Sequence, residues 1–373
     1  MRGVCAKMTD KKFYKYSPSE LATCFLGVFL LALMIRNSDV AAKYIKDGLS
    51  VCAATLIPSL FPFMVISDLF VSSGGANTLG RLLAAPMKGL FGVSGAGAVA
   101  VALGALCGFP IGARCAVSLF DAGEITKAEC ERLIAISSSP SSAFLISAVG
   151  VALFGSRDFG RALYAATLIS SLAVGVVFNL ISKIKKEPQK PLVSPVYTAP
   201  QKRFGMASLS DAISASADAM LKICAFVVFF TAFTGTLCEM LDAWALPSTL
   251  RAIICSIVEL TGGVRESAKL SHAALGATVA AFGAGWSGIS VHLQISAICK
   301  NRSLSLRPYL LSKLASGLLT AAMIALYLRI SPPTFNTDTP TTALIEPRGA
   351  YIITAAFAIV LILSALKRRR RTP

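Results

Sequence analysis

Apolar runs recur from one end of the chain to the other, and nothing else constrains its fold as much. The clearest cover residues 21–35, 162–181, 223–241, 309–328 and 352–366. A transmembrane helix takes about 20 apolar residues, because the hydrocarbon layer of a bilayer is about 30 Å thick. Only 15% of the 373 residues are charged, against about 25% in soluble domains. A mean hydropathy of +0.68 says the same: this much apolar surface needs lipid around it. The expected fold is all-α, a polytopic membrane protein without a soluble catalytic domain.

The formal net charge of +17 could point to nucleic acid, but its placement argues for membrane flanks. Lys7, Lys11, Lys12 and Lys15 precede the first run. Lys183, Lys185, Lys186 and Lys190 follow the second, and Lys367 with Arg368 to Arg371 follow the last. Cations at the ends of spans set topology and attract anionic lipid headgroups. No nucleic-acid partner is expected. The N-terminus, the basic and Pro-containing linker and the Arg-rich tail are placed in the cytoplasm, and the Pro/Thr-rich loop 331–349 outside. The first run has no cleavage site before Arg36 and reads as a retained helix.

Between the plain spans lie apolar stretches that are interrupted. Pro58 and Pro62 fall in the first, where a helix is expected to break or kink. Gly108-Phe109-Pro110-Ile111-Gly112 cuts the stretch 94–120, Ser137-Ser138-Ser139-Pro140-Ser141-Ser142 cuts 133–154, and Gly283-Ala284-Gly285-Trp286-Ser287-Gly288 cuts 272–299. Unpaired backbone at membrane depth is tolerated only inside protein or beside a water-filled cavity. Residues 38–183 and 205–330 each open on an amphipathic stretch, pass a Phe-rich span and reach a small-residue helix with a glycine break. Their flanking charges place their starts on opposite sides, which predicts an inverted-topology repeat with broken or re-entrant helices meeting near the midplane. Around them lie residues 1–37 (N-terminus and first helix), the linker 184–204, and 331–373 (external loop, last helix and tail).

The breaks hold the candidate substrate-binding residues. A helix restarting at Ile111 presents free N–H groups to the segment Gly108, Phe109, Pro110 and Gly112, a ready anion site. Arg114 lies in its first turn, and its planar fork suits a carboxylate; the plainer readings are a snorkelling cation or a pair with Asp121. Ser138, Ser139 and Ser141 offer hydroxyls, or simply pack helices. Ser287, Ser290, His292 and Gln294 occupy the second-half break; of the last three, i and i+2 positions cannot share one helical face. His292 is either a protonation switch or an ordinary hydrogen-bonded histidine. Asp68 couples protons, pairs with Arg114, or marks the membrane edge. Lys222 reads as a snorkelling anchor.

No GxSxG, HExxH or Walker A motif occurs, so no enzyme activity is expected and an ATP-driven pump would need a partner ATPase. The ten cysteines form no CxxC pair and no Cys/His ligand spacing, so neither a disulfide framework nor a metal site is expected. No cofactor is expected either.

Several phrases occur together in a recognisable order. They are Leu56-Ile57-Pro58-Ser59-Leu60-Phe61-Pro62-Phe63, Gly108-Phe109-Pro110-Ile111-Gly112-Ala113-Arg114, Gly123-Glu124-Ile125-Thr126-Lys127-Ala128-Glu129, Ser287-Gly288-Ile289-Ser290-Val291-His292-Leu293-Gln294 and Arg307-Pro308-Tyr309-Leu310-Leu311. With them, residues 20–330 resemble the YlbJ family of sporulation integral membrane proteins, built from two nucleoside-recognition (Gate) domains. Where that family has an Asn-rich turn after the helix at 129–136, this chain has the serine run. The resemblance implies delivery of dipicolinic acid across the mother-cell-derived membrane around the forespore. The expected function is therefore a transporter or facilitator of a small organic anion. The alternatives are a non-transporting scaffold working with other sporulation membrane proteins in spore-envelope assembly, or a nucleoside carrier.

Overall fold

A computed structural model describes residues 18–72, 80–184, 206–330 and Phe335. The basic N-terminus, nearly all of the 184–204 linker, the 331–349 loop apart from Phe335, the 352–366 run and the Arg-rich tail lie outside the described residues. Every regular element among the described residues is helical.

Helix α1 spans Pro18–Arg36 and α2 spans Ser38–Val51. A π-turn, Cys52–Leu56, leads directly into α3, Ile57–Ser72. The two prolines were expected to break or kink this stretch; the helix is not broken and runs on with Pro62 inside it. The wider turn just before explains how: Ile57 N–H bonds Cys52 C=O, five residues back, and π-turns of this kind accommodate a local mismatch in the bonding ladder.

Short helices follow. They are α4 (Ala84–Phe91), α5 (Ala98–Cys107), α6 (Ile111–Asp121), α7 (Lys127–Ser137) and the π-wound α8 (Phe144–Leu153), and then the long α9, Arg157–Ile184. Helix α7 starts where its sequence dictates: the Thr126 hydroxyl accepts from Glu129 N–H at 3.3 Å while Glu129 accepts from Thr126 N–H at 2.7 Å, a capping box. The same Glu129 accepts Ser94 N–H at 2.6 Å, which anchors the loop before α5.

After the linker come α10 (Met206–Ala243), α11 (Ser248–Val258), α12 (Leu260–Ala268), α13 (Ala273–Trp286), α14 (Gly288–Cys299) and α15 (Arg307–Ile330). By length and composition, Arg157–Ile184, Ser208–Ala243, Ala273–Cys299 and Arg307–Ile330 are able to cross a membrane; Ala84–Phe91 with Gly95–Cys107, bent by 92°, adds a fifth if the pair counts as one span. With those spans and its hydropathy, the chain is an integral membrane protein.

One order of elements occurs twice. A long helical stretch (α2–α3; α10) leads to two interrupted pairs (α5–α6 and α7–α8; α11–α12 and α13–α14), and a second long helix closes each half (α9; α15). Apart from α4, which the second half lacks, the interruption at Gly108–Pro110 holds the same place in that order as the one at Glu259, and Ser138–Ser141 the same place as Ser287. Helix α13 in fact runs through Gly283 and Gly285 and stops only before Ser287. Those glycines serve close packing: a Cβ on Gly285 would lie 2.6 Å from the Ser316 carbonyl oxygen on α15.

Two large hydrophobic cores form beside a small one at Ala252, Leu270 and Val279, and each large core takes a short helix from the other half. The first gathers α3, α5, α6 and α7 together with Val291, Ile295 and Cys299 of α14. The second gathers α12, α13 and Ile324 of α15 together with Leu145 and Val149 of α8 and Phe159, Leu163 and Ala166 of α9. The long helices also pair across the halves, α2 and α3 against α10, and α9 against α15.

One cysteine pair departs from expectation. Cys238 and Cys255 are joined as a disulfide with their Cα atoms 6.8 Å apart. The turn between α10 and α11 folds the two helices back on each other, a juxtaposition that no short cysteine motif announces.

Candidate functional site

The first interruption is built by two chain breaks zipped together. Helix α5 ends at Cys107, Gly108 takes φ +80°, and α6 begins at Ile111, as expected. Phe109 N–H donates to Ser139 C=O at 2.7 Å, and a Cβ on Gly108 would stand 2.5 Å from Ser141 N. Only glycine suits both the positive φ and the close approach. The Ser137 carbonyl oxygen lies between Gly104 and Gly112, where added Cβ atoms would come within 2.0 and 2.3 Å of it. The positive end of α6 therefore meets the carbonyl end of α7. An anion site was expected at the start of α6; the Ser137 and Ser139 carbonyls lie against this segment.

Arg114 turns to a different partner from the Asp121 considered above. Its Nη2 lies 2.5 Å from Asp68 Oδ2, with both side chains largely buried, and the Ser216 hydroxyl of α10 donates to the same oxygen at 3.3 Å. Nη1 of Arg114 is buried with no hydrogen-bond partner among the described residues. Asp121 is instead taken by Arg302, whose Nε and Nη2 donate to both carboxylate oxygens at 2.7–3.0 Å. That bond raises the Arg302 pKa above its ordinary value. Beside it the Glu131 carboxylate accepts Ser305 N–H at 2.7 Å. The turn after α6, the start of α7 and the turn after α14 are thereby latched together. Glu124, buried in the first of these turns, has its carboxyl pushed up to about 7 by burial.

The second interruption holds the residue that sequence reading passed over. Lys313 of α15 is fully buried, and its Nζ donates to the Ser138 carbonyl. No carboxylate among the described residues lies within ion-pair distance of it. One turn earlier, Tyr309 Oη and His292 Nδ1 are 2.9 Å apart, and the Trp286 ring stands edge-on to His292 at 4.3 Å. Nε2 of His292 is buried without a partner among the described residues. The Ser312 hydroxyl contacts the carbonyl oxygens of Ala135 and Tyr309 at 3.2 and 2.7 Å. Donors from α15 thus gather at the carbonyl end of α7, where the helix dipole favours a cation. The signal was legible: Lys313 is an ammonium inside an apolar run, and such residues are functional candidates by default.

The remaining serines are mostly absorbed locally. The Ser138 hydroxyl donates to Ile134 C=O at 2.7 Å, Ser139 and Ser171 hydroxyls lie 2.9 Å apart, and Ser141 Oγ accepts Phe144 N–H at 3.3 Å. In α14, Gln294 Nε2 reaches Ser290 Oγ at 3.5 Å, one turn away, while His292 turns to Tyr309. All three are buried because α14 has protein on both sides. The structure therefore joins Ser138 and His292 through α15, and holds Arg114 with Asp68 as a separate network.

Ser287 is the strained link of the second half. It takes φ +77° and is fully buried, and its hydroxyl has no partner among the described residues. The left-handed region costs a non-glycine residue about 1–2 kcal/mol, and an unsatisfied buried hydroxyl about 1–3 kcal/mol. Ser287→Gly is therefore expected to raise the melting temperature in detergent by several degrees, a gain of about 2 kcal/mol. An unchanged or lower midpoint would contradict this account of the break.

No protein-family model matches the chain, and no solved structure is similar to it. Among curated proteins, the sporulation integral membrane protein YlbJ of Bacillus subtilis (strain 168) is 27% identical over 336 residues, covering 82% of this chain and 81% of that protein. A match of that length takes in both halves and the interruptions within them, so this chain is similar to that sporulation integral membrane protein over most of its length.

Proposed function

We propose that this protein carries a small organic anion across a membrane during sporulation. Dipicolinic acid, delivered to the forespore, is the substrate that the family resemblance implies. Lys313 carries the reading. A fully buried ammonium facing a carbonyl, with no carboxylate beside it among the described residues, is a cation in want of an anion. A substrate carboxylate that displaced the Ser138 carbonyl would supply one, and the Nη1 of Arg114, unpartnered among the described residues, offers further donor capacity in the separate Asp68 network.

The two halves act in this proposal as inverted repeats. Helix α9 ends and α10 begins at the basic linker, so both meet the cytoplasmic face by the distribution of charge. The equivalent long stretches α2–α3 and α10 then cross in opposite senses. The crossed cores support a motion in which α14 travels with the first half and α8 with the second. The Asp121–Arg302 and Glu131–Ser305 contacts hold the cytoplasmic turns together, which corresponds to closure on that side. Alternating access would open this latch and expose Lys313.

The test is dipicolinate uptake into proteoliposomes that contain this protein alone. Wild-type protein is expected to take up the anion. Lys313→Met, with the same elution profile, is expected to lose about tenfold or more, since a hydrogen bond to a charged group contributes about 1.5–3 kcal/mol. Equal uptake by the variant, or none by the wild type, would sink the proposal. A scaffold would tolerate Lys313→Met with spore-envelope assembly intact.

A further inference from the structure

Helix α4 has no counterpart in the second half, where residues 244–247 lead straight from α10 into α11. It is bent by 92° from the stretch Gly95–Cys107, so it lies across the ends of its neighbours rather than along them. Its carbonyl end is held from two sides. Asn179 Nδ2 of α9 donates to Gly89 C=O at 3.1 Å and to Leu90 C=O at 2.9 Å, and Lys183 Nζ reaches Gly89 C=O at 3.4 Å. From α7, Arg132 Nη1 donates to Gly92 C=O at 3.0 Å. Asn179 and Lys183 belong to the last turns of α9, which the basic linker places at the cytoplasmic face. Helix α4 is therefore an in-plane element on that face.

Its outer side has the two features of an interfacial helix, an apolar border and cations. Leu82 is 78% exposed and Leu90 49%, while Met87 and Phe91 are buried in the first core. Arg81 and Lys88 are exposed beside them. Gly80 holds Arg81 close to the start of α5, since a Cβ on Gly80 would stand 2.8 Å from Ala96 N. Lys183 and the half-buried Arg132 bring the cations of this corner to four, and none has a carboxylate within ion-pair distance among the described residues. The acids of α7 are engaged elsewhere: Glu129 accepts Ser94 N–H and Thr126 N–H, and Glu131 accepts Ser305 N–H. Lys183 and Arg132 each give one donor to a carbonyl, but an ammonium has three and a guanidinium five. Like charges gathered without a counter-charge repel one another, so this corner favours an anion. Ile184, 80% exposed at the end of α9, extends the apolar border, and Lys185 and Lys186 come next in the sequence.

From these uncompensated cations and the exposed leucines and isoleucine beside them, we infer that α4 and the end of α9 form a binding site for the headgroup phosphate of an anionic phospholipid, its acyl chains running along Leu90 and Ile184. A soluble anion would use the cations alone; the apolar border selects a lipid. The site acts on the fold through the chain itself. Helix α4 passes through Gly92 and Ser94 into α5, which ends at the Gly108 break, so a bound lipid steadies the first interruption from the cytoplasmic side.

Thermal unfolding of the purified full-length protein in a neutral detergent tests this without any transport assay. Midpoints are compared in micelles containing phosphatidylglycerol, phosphatidylcholine or glycerol 1-phosphate at matched ionic strength. Saturating phosphatidylglycerol is expected to raise the midpoint by about 5 °C over phosphatidylcholine, and glycerol 1-phosphate to add nothing. Lys88→Gln/Lys183→Gln is expected to bind the lipid about twentyfold more weakly and to lose more than half of the increment, with its midpoint in phosphatidylcholine unchanged. Should that variant fail to fold, Lys88→Gln alone is the second arm, because this side chain is exposed; it should lose a smaller share. Replacing Arg368, Arg369, Arg370 and Arg371 of the tail by glutamine should leave the increment whole. Equal wild-type midpoints in the two lipids, a full increment in the lysine variants, a tail variant that loses as much as they do, or an equal rise in glycerol 1-phosphate would each overturn the inference. Failure of dipicolinate uptake would leave these outcomes unaffected, so the two proposals fail separately.

Discussion

Asp68→Asn is expected to lower the stability of the solubilised protein by about 3–5 kcal/mol, the largest loss among the polar substitutions considered. The substitution keeps the shape of the side chain and removes the charge that Arg114 faces at 2.5 Å. Arg114 is largely buried between α3, α6 and α10, so its guanidinium would remain in a poorly solvated place without a counter-charge. Removing both charges is a different matter. Asp68→Asn/Arg114→Met is expected to recover most of the loss, because replacing a whole buried pair by apolar groups is often close to neutral. Chemical unfolding of the four proteins in a double-mutant cycle would measure the coupling, and a double variant as unstable as Asp68→Asn would contradict it. The double variant also isolates the role of Arg114 in transport. If it folds and loses dipicolinate uptake, Arg114 serves the substrate as well as the fold; unchanged uptake confines it to structure.

Gly104→Ala carries the second large effect. The added methyl would arrive 2.0 Å from the Ser137 carbonyl oxygen, and at Gly112 it would arrive at 2.3 Å. Neither obstacle is the tip of a flexible side chain. Both are the same backbone carbonyl, at the end of α7 that Lys313 and Ser312 also hold. Separating α5 or α6 from that carbonyl would pull the zipped breaks apart, with a loss of about 3 kcal/mol, at the upper end for overpacking. Gly27→Ala in α1 is the control, since nothing lies within 4 Å of its Cβ; there alanine gains about 0.5–1 kcal/mol in helix propensity. Equal melting of the Gly104 and Gly27 variants would contradict the packing described.

The parts of this fold that are periodic and apolar were open to reading. The spans at 162–181, 223–241 and 309–328 became α9, α10 and α15, because a long run of apolar residues has few other solutions in a membrane. Interruptions marked by Gly or Pro were also open to reading, which is why Ile111 was recognised as a helix start. Glu259 was not. A glutamate within an otherwise helical segment looks like any polar helix residue, and only tertiary contact with Gly288 reveals that the chain turns there. Lys313 was missed for a related reason: hydropathy averages over a window and hides one charge in a run of leucines. Asp68 was open to the right pairing with Arg114, since a lone acid and a lone base in apolar surroundings seek each other. Its third partner, Ser216, lies 148 residues away, beyond any local pattern.

The crossed cores bear on how such a chain comes to be made. Val291, Ile295 and Cys299, followed by Tyr309 of α15, complete a core whose walls on α3, α5, α6 and α7 were synthesised long before them. When the ribosome has finished α7, the apolar faces of α5, α6 and α7 still lack the helix that will cover them. Lipid or an insertase must shelter those faces until residue 299 has emerged and α14 can dock. The second half meets the opposite condition, because α8 is already waiting when α12 and α13 arrive. Assembly is therefore lopsided in time although the element order repeats. A chain truncated after the linker would be left with an open seam, exposed to whatever protease patrols the membrane.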